Sequence, residues 1–212
     1  MSLVATLICN PNNPALDSTV VDGARAILPN AGPAHWLWNE VAVDIPFESD
    51  EPIAAITQRL QAAREDFPID VVVQPKLDRR KKLFLADMDS TMIGQECIDE
   101  LADFAGLKAH VSAITERAMR GEIAFEPALR ERVALLKGLP VSVVDEVLAK
   151  RITPTPGGRE LVMTMRANGA YTCLISGGFT LFTNAVAAMI GFQENRANTL
   201  DVADGKFAGT VA

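Results

Sequence analysis

Residues 83 to 91, Leu-Phe-Leu-Ala-Asp-Met-Asp-Ser-Thr, constrain this chain more than any other stretch: four apolar residues without a turn former run into two aspartates flanking one residue. Such a run reads as a buried strand of a parallel sheet. Asp87 and Asp89 then stand at its carboxyl end, where open α/β sheets place their ligand crevice. Side chains alternate along an extended chain, so residues i and i+2 point the same way and both carboxylates face one small volume. Two like charges that close call for a counter-charge, and a hard cation such as Mg²⁺, which takes oxygen ligands and few of them from protein, is the simplest. One carboxylate is then suited to attack phosphorus while the other moves the proton of the leaving oxygen. For Asp-x-Asp alone, a plain loop after a strand is an equal alternative.

With the two residues that follow, the stretch Asp87-Met88-Asp89-Ser90-Thr91 resembles the first motif of the haloacid dehalogenase superfamily of aspartate-nucleophile phosphatases. The resemblance implies a Rossmann-like parallel α/β core, Asp87 as nucleophile, Asp89 as acid and base, and Mg²⁺ held by both. Composition agrees: 212 residues at 49% hydrophobic content bury a sizeable core with room for two domains. A formal charge of -7 argues against a nucleic-acid partner held through phosphates. Cys9, Cys97 and Cys173 are an odd number without close spacing, which favours reduced thiols in the cytoplasm over disulfides or structural zinc. The start, Met1 to Ile8, has no positive region and meets Asn10-Pro11-Asn12 too early for a signal peptide. No apolar run approaches membrane-spanning length.

In chain order, Leu3 to Ile8 reads as a strand, Ser18 as the cap of a helix carrying Val20, Val21, Ala24 and Ile27, and Trp36 to Ile45 as one bent strand or two. A helix over residues 51 to 65 and a strand from Ile69 to Val73 follow. This order suggests a small α+β domain of ferredoxin-like type over residues 1–75, resembling the ACT-type regulatory domains in pattern. His35, Trp36 and Trp38 are read as lining a ligand site or as core or interface packing. Residues 76–82, basic and polar, read as a solvated linker, leaving 83–212 as the phosphatase core.

Helical spacing over Gln95 to Phe104, Ala109 to Met119, Phe125 to Leu136 and Val141 to Ile152, punctuated by Gly106, Gly121 and Gly138-Leu139-Pro140, predicts a four-helix cap over about 95–153. Glu96 and the phrase from Gly121 to Leu139 resemble the cap of the phosphoserine phosphatase family. That resemblance implies O-phospho-L-serine as a small-molecule substrate, with Glu96 pairing its ammonium, Arg132 gripping its carboxylate, and Met119 and Phe125 closing apolar surface over it. Phe125 and Arg132, seven residues apart, share a helix face.

Tyr171 to Ile175 predicts a second buried strand ending in Ser176-Gly177-Gly178-Phe179 before a helix from Thr180. The Ser176 hydroxyl, loop N–H groups and glycine backbone are suited to a phosphate, and the string resembles the second superfamily motif. A hairpin over Asn198 to Val211, turning at Asp204-Gly205, comes last. The family's third motif, a lysine, and its fourth, a Gly-Asp-Gly-x-x-Asp loop, do not follow; Lys206 belongs to the hairpin. The expectation is a weakly active or inactive, fragile chain, with an exposed edge and apolar surface. Two rivals stand beside phosphoserine hydrolysis in serine synthesis. One is a superfamily phosphatase for another small phosphomonoester. The other is an amino-acid-binding regulatory module whose phosphatase half is a catalytically incompetent scaffold. The pattern allows a homodimer.

Overall fold

The first strand, β1 (Ser2–Cys9), alternates Leu3, Ala5 and Leu7 onto one face, where all three are fully buried. In this computed structural model, which describes residues 1–64 and 67–212 apart from the side chain of Met119, the elements fall into two compact units, Met1–Arg80 and Lys81–Ala212. After β1 comes α1 (Ser18–Ile27), capped not by Ser18 but by Asp17, whose Oδ1 accepts from the Val20 N–H at 2.8 Å. Trp36 to Ile45 is two strands, β2 (His35–Trp38) and β3 (Ala42–Glu48), with Glu40 at φ 59 in the turn between them. The predicted helix over 51 to 65 is α2 (Ile53–Ala62), residue 65 lying outside the described residues; β4 (Ile69–Pro75) closes the unit.

The sheet is antiparallel in the order β2-β3-β1-β4, the ferredoxin-like arrangement expected from the element order. Its inner face packs Leu3, Leu7, Ile45 and Val73 against Val20, Ala24, Ile56 and Leu60 of the two helices. His35, Trp36 and Trp38 do not pack in this core: all three are exposed, the tryptophans at 41% and 61%. They sit on β2, an edge strand of this sheet. The basic stretch read as a solvated connector is pinned at Arg79, whose guanidinium donates to both oxygens of Asp44 at 2.6 and 3.1 Å and to the Thr6 hydroxyl at 3.2 Å.

The second unit is built on three parallel strands, β5 (Leu83–Ala86), β6 (Tyr171–Phe179) and β7 (Glu194–Asn198), in that order across the sheet. Between β5 and β6 run four helices, α3 (Cys97–Phe104), α4 (Lys108–Met119), α5 (Phe125–Ala134) and α6 (Val143–Lys150), then α7 (Gly158–Ala167), which leads back to the sheet. A further helix, α8 (Thr180–Ile190), joins β6 to β7. The hairpin β8 (Leu200–Ala203) and β9 (Lys206–Val211) turns at Asp204-Gly205, both at positive φ, and is hydrogen-bonded to the loop after α5 through Gly138, Leu139 and Val141.

One expectation for β5 needs correction. It is an edge strand, not a buried one: Phe84 and Ala86 pack inward, the Phe84 ring stacking on Phe192, while Leu83 and Leu85 are 55% and 53% exposed. The four apolar letters identify a strand, but they do not reveal that only one face of it has a partner. Among the described residues no helix is long and apolar enough to cross a membrane.

Candidate active site

At the end of β5 the backbone makes one wide turn, Met88–Met92, closed by the Ile93 N–H donating to the Met88 carbonyl at 3.1 Å. Met88 and Met92 are buried beneath it, which fixes the turn and leaves Asp87 and Ser90 exposed and Asp89 half-buried. The Asp87 carboxylate accepts from the Met88 N–H at 2.8 Å, and Asp89 Oδ1 accepts from the Cys97 N–H at the start of α3, at 3.3 Å. Burial holds the Asp89 carboxyl up at about 6; the Glu96 and Asp87 charges add to the rise and the Cys97 contact opposes it. Ser90 sits at φ 51, a left-handed conformation that costs a non-glycine residue energy. In that pose its hydroxyl donates to Glu96 Oε1 at 2.6 Å. The turn thus orients three carboxylates at once.

One cleft of about 230 Å³ is lined by Asp87, Asp89, Glu96, Phe125, Arg132, Ser176, Gly177 and Gly178. The structure therefore brings together every residue expected at the phosphatase site except Met119, whose side chain lies outside the described residues. Phe125 is 61% exposed at the rim. Arg132, by contrast, is buried, donating through Nε to the Ala128 carbonyl and through Nη1 to the Thr115 hydroxyl, both at 3.1 Å. Burial lowers its pKa while the Asp99 and Glu96 charges act against that; a guanidinium keeps its proton in such a setting. Ser176 Oγ accepts from the Gly178 N–H at 2.8 Å. A side chain at Gly178 would put its Cβ 3.0 Å from Ser176 Oγ and 3.1 Å from Asp89 Oδ2, so any other residue there would have to displace one or both of them, and glycine lets the loop and the aspartate turn approach closely.

Sequence reasoning missed Ile98, Leu129 and Phe179, which complete the apolar wall. Leu129 was within reach, since it lies four residues after Phe125 and three before Arg132 on the same helix face. Asp99 was missed as well: its charge acts on Arg132, and its buried Oδ1 has no partner among the described residues. Two hydrogen bonds tie the cap's entry to its exit, Gln95 Nε2 to Thr153 Oγ1 at 2.7 Å and the Thr153 N–H to Gln95 Oε1 at 2.9 Å, and no local sequence signal announces that pair. Among the described residues no three acidic, histidine or cysteine side chains converge as a metal cage. The paired oxygen donors of Asp87 and Asp89, one of them held above its usual pKa beside other carboxylates, fit a hard cation that keeps most of its waters.

A parallel α/β core with a helical insertion behind its first strand, and carboxylates at the end of that strand, defines a protein of the haloacid-dehalogenase-like fold. The model of the haloacid dehalogenase-like hydrolase family matches residues 84–212, and the chain belongs to that family. It is 42% identical over 160 residues to the phosphoserine phosphatase of Archaeoglobus fulgidus, a match covering 74% of this chain and 46% of that protein. A solved structure described as a phospho-aspartyl intermediate analogue of phosphoserine phosphatase is 44% identical, with a TM-score of 0.58 over 62% of each chain. A haloacid dehalogenase family hydrolase from Salmonella enterica serovar Typhi gives a TM-score of 0.82 at 23% identity, covering 100% of this chain and 72% of the other, which is a likeness of fold. The chain spans about half the length of the curated relatives it matches, from 46% to 64% for three of them.

Proposed function

We propose that this cleft belongs to a phosphatase that hydrolyses O-phospho-L-serine to L-serine and phosphate, the last step of serine synthesis in the cytoplasm. Asp87 attacks phosphorus in line, and Asp89 gives its proton to the serine oxygen, which leaves as the alcohol. An acyl phosphate then sits on Asp87; Asp89 takes a proton from water, whose oxygen releases phosphate and restores the carboxylate. An Asp89 carboxyl held up by burial is suited to both proton transfers. Mg²⁺, held by Asp87 and Asp89, would neutralise charge on the phosphoryl oxygens. Ser176, Gly177 and Gly178 bind those oxygens. Glu96 receives the substrate ammonium, Arg132 its carboxylate, and Phe125 closes over the carbon chain. Residues 83–212 act as the catalytic unit, with 95–153 as its cap; residues 1–75 form a separate ACT-like domain joined through 76–82.

The observation that carries the reading is that Glu96 and Arg132, an anion and a buried cation, share one small cleft with the aspartates and the serine-glycine loop. A phosphate ester bearing both an ammonium and a carboxylate matches that set, and relatives that are 42% to 49% identical are named phosphoserine phosphatases. The test is phosphate release from O-phospho-L-serine, with and without Mg²⁺, by this chain and by a version spanning the relatives' full length. Mg²⁺-dependent release, abolished together with phosphoenzyme labelling in Asp87→Asn, is expected. Release by neither chain would sink the proposal, and equal turnover of esters lacking the amino and carboxylate groups would redirect it to another small phosphomonoester.

A further inference from the structure

The pairing of β6 with β7 is interrupted beside the cleft. Ile175 pairs with Arg196 and the next pair is Phe179 with Asn198, so four steps along β6 are matched by only two along β7. The surplus is the Ser176-Gly177-Gly178 segment, pushed out of the ladder as a bulge. A bulge of this kind leaves backbone carbonyls without strand partners, and their direction is then open to being set by a side-chain donor. Here the half-buried Asn198 side chain fills the gap: its Nδ2 donates to the Gly177 carbonyl at 2.8 Å and to the Gly178 carbonyl at 3.3 Å. Both partners are acceptors, so the nitrogen assignment follows from the chemistry.

We infer that Asn198 is the positioning residue of the phosphate loop, fixing the Gly177–Gly178 peptide so that its N–H holds Ser176 Oγ and leaves the Ser176 hydroxyl hydrogen to be donated to the phosphoryl group. The inference rests on the reading of Ser176-Gly177-Gly178 as that loop. In a planar trans peptide the C=O and the following N–H point opposite ways. Drawing the Gly177 carbonyl toward Asn198 on β7 therefore turns the Gly178 N–H away from β7. That N–H meets Ser176 Oγ at 2.8 Å, and both residues line the cleft. Glycine backbone is permissive, so the loop does not hold this pose by its own propensity. It carries no side chain at Gly177 or Gly178, and Asp89 Oδ2 and Phe125 Cζ stand against the two glycines, each 3.1 Å from where a Cβ would lie. Asn198 touches no substrate in this scheme; it acts through the two carbonyls. Aspartate in its place has nearly the same shape but no donor, and it sets a negative charge against two carbonyl oxygens.

The test uses the whole 212-residue chain with inorganic phosphate and Mg²⁺ as the probe. With ¹⁵N-glycine labelling, the Gly177 and Gly178 amide signals of the unmodified chain are expected to shift on phosphate addition. In Asn198→Asp and Asn198→Ala those signals move before any phosphate is added, and phosphate affinity drops on the order of tenfold or more, the scale of losing an oriented anion donor. A merely structural role would lower the melting temperature without a specific change at Gly178. Phosphate affinity within twofold of the original in a folded variant overturns the inference, as does a wild-type chain whose glycine amides ignore phosphate. Phosphate bound in an Asn198-dependent way by a chain that leaves O-phospho-L-serine intact supports the inference while removing the substrate assignment.

Discussion

Asp89 is the residue at which the cleft trades stability for chemistry. Its carboxyl lies at about 6 against an ordinary 3.8, chiefly through burial, with Glu96 and Asp87 adding like charge. A folded value above the unfolded one favours the protonated form. The group therefore costs nothing below about pH 4, and its cost grows as pH rises to the folded value, levelling near 3 kcal/mol, the worth of about two pH units. Asp89→Asn removes the charge and keeps the shape. In metal-free buffer it is expected to melt several degrees higher than the original chain at pH 7.5 and within a degree or so of it at pH 4, while losing phosphatase activity. Equal melting temperatures at pH 7.5 would mean that burial does not strain this carboxyl. The sequence makes the pair visible through the i, i+2 rule, but not the difference between its members. Asp87 is exposed and Asp89 half-buried, because the turn after β5 drives Met88 and Met92 into the core and carries Asp89 beneath Gly178.

Among the elements, α5 shows how much a periodic pattern discloses. Phe125, Leu129 and Arg132 recur at helical spacing, and all three line the cleft. What the pattern does not disclose is the brace on Arg132, because Thr115 comes from α4, seventeen residues earlier, and only the packing of the two helices brings its hydroxyl to the guanidinium. Thr115→Val keeps the volume and removes the acceptor. It is expected to raise KM for O-phospho-L-serine severalfold, about 1 kcal/mol for one hydrogen bond to a charged group, with kcat little changed. Arg132→Ala should cost far more with that substrate than with an aryl phosphate lacking a carboxylate, and equal losses on both would take Arg132 out of carboxylate binding. The strands were less legible than the helices. Glu-Asn-Arg-Ala-Asn carries no alternating apolar face, yet it is β7, held by its parallel ladder to β6, by the Tyr171 hydroxyl donating to Glu194 and by the Thr183 hydroxyl donating to Asn195. Propensity cannot find a strand whose stability lies in its neighbours. Likewise the letters of β5 could not tell that Leu83 and Leu85 face outward.

At the scale of the whole molecule, the change from an antiparallel to a parallel pattern near residue 80 was readable because β1 to β4 and β5 to β7 are separated by a polar, basic stretch. Each side then builds a core of its own, one around Leu3, Ile45 and Leu60, the other around Met88, Leu174 and Phe182. Arg79 was misread as part of a solvated connector because its partners, Thr6 and Asp44, are more than thirty residues away in sequence. Residues 1–80 are expected to fold alone with a cooperative transition, and the Asp44–Arg79 pair should make that fold acid-sensitive. Burial by itself would raise the Asp44 carboxyl; the bonds from Arg79 and Thr6 outweigh it, and the folded value lies below the ordinary one. A depressed carboxylate contributes its stability in full above the unfolded value, near pH 4, and loses it as pH falls through the folded value. The pair is partly exposed, at 27% and 13% of the two side chains, so its worth is about 1–2 kcal/mol, between a surface and a buried bridge. Asp44→Asn should therefore destabilise the isolated unit by that amount at pH 7, the deficit closing as pH falls through the lowered folded value. Denaturant unfolding of both forms at neutral and at low pH measures it, and a deficit that persists unchanged at low pH would assign the loss to packing rather than to charge.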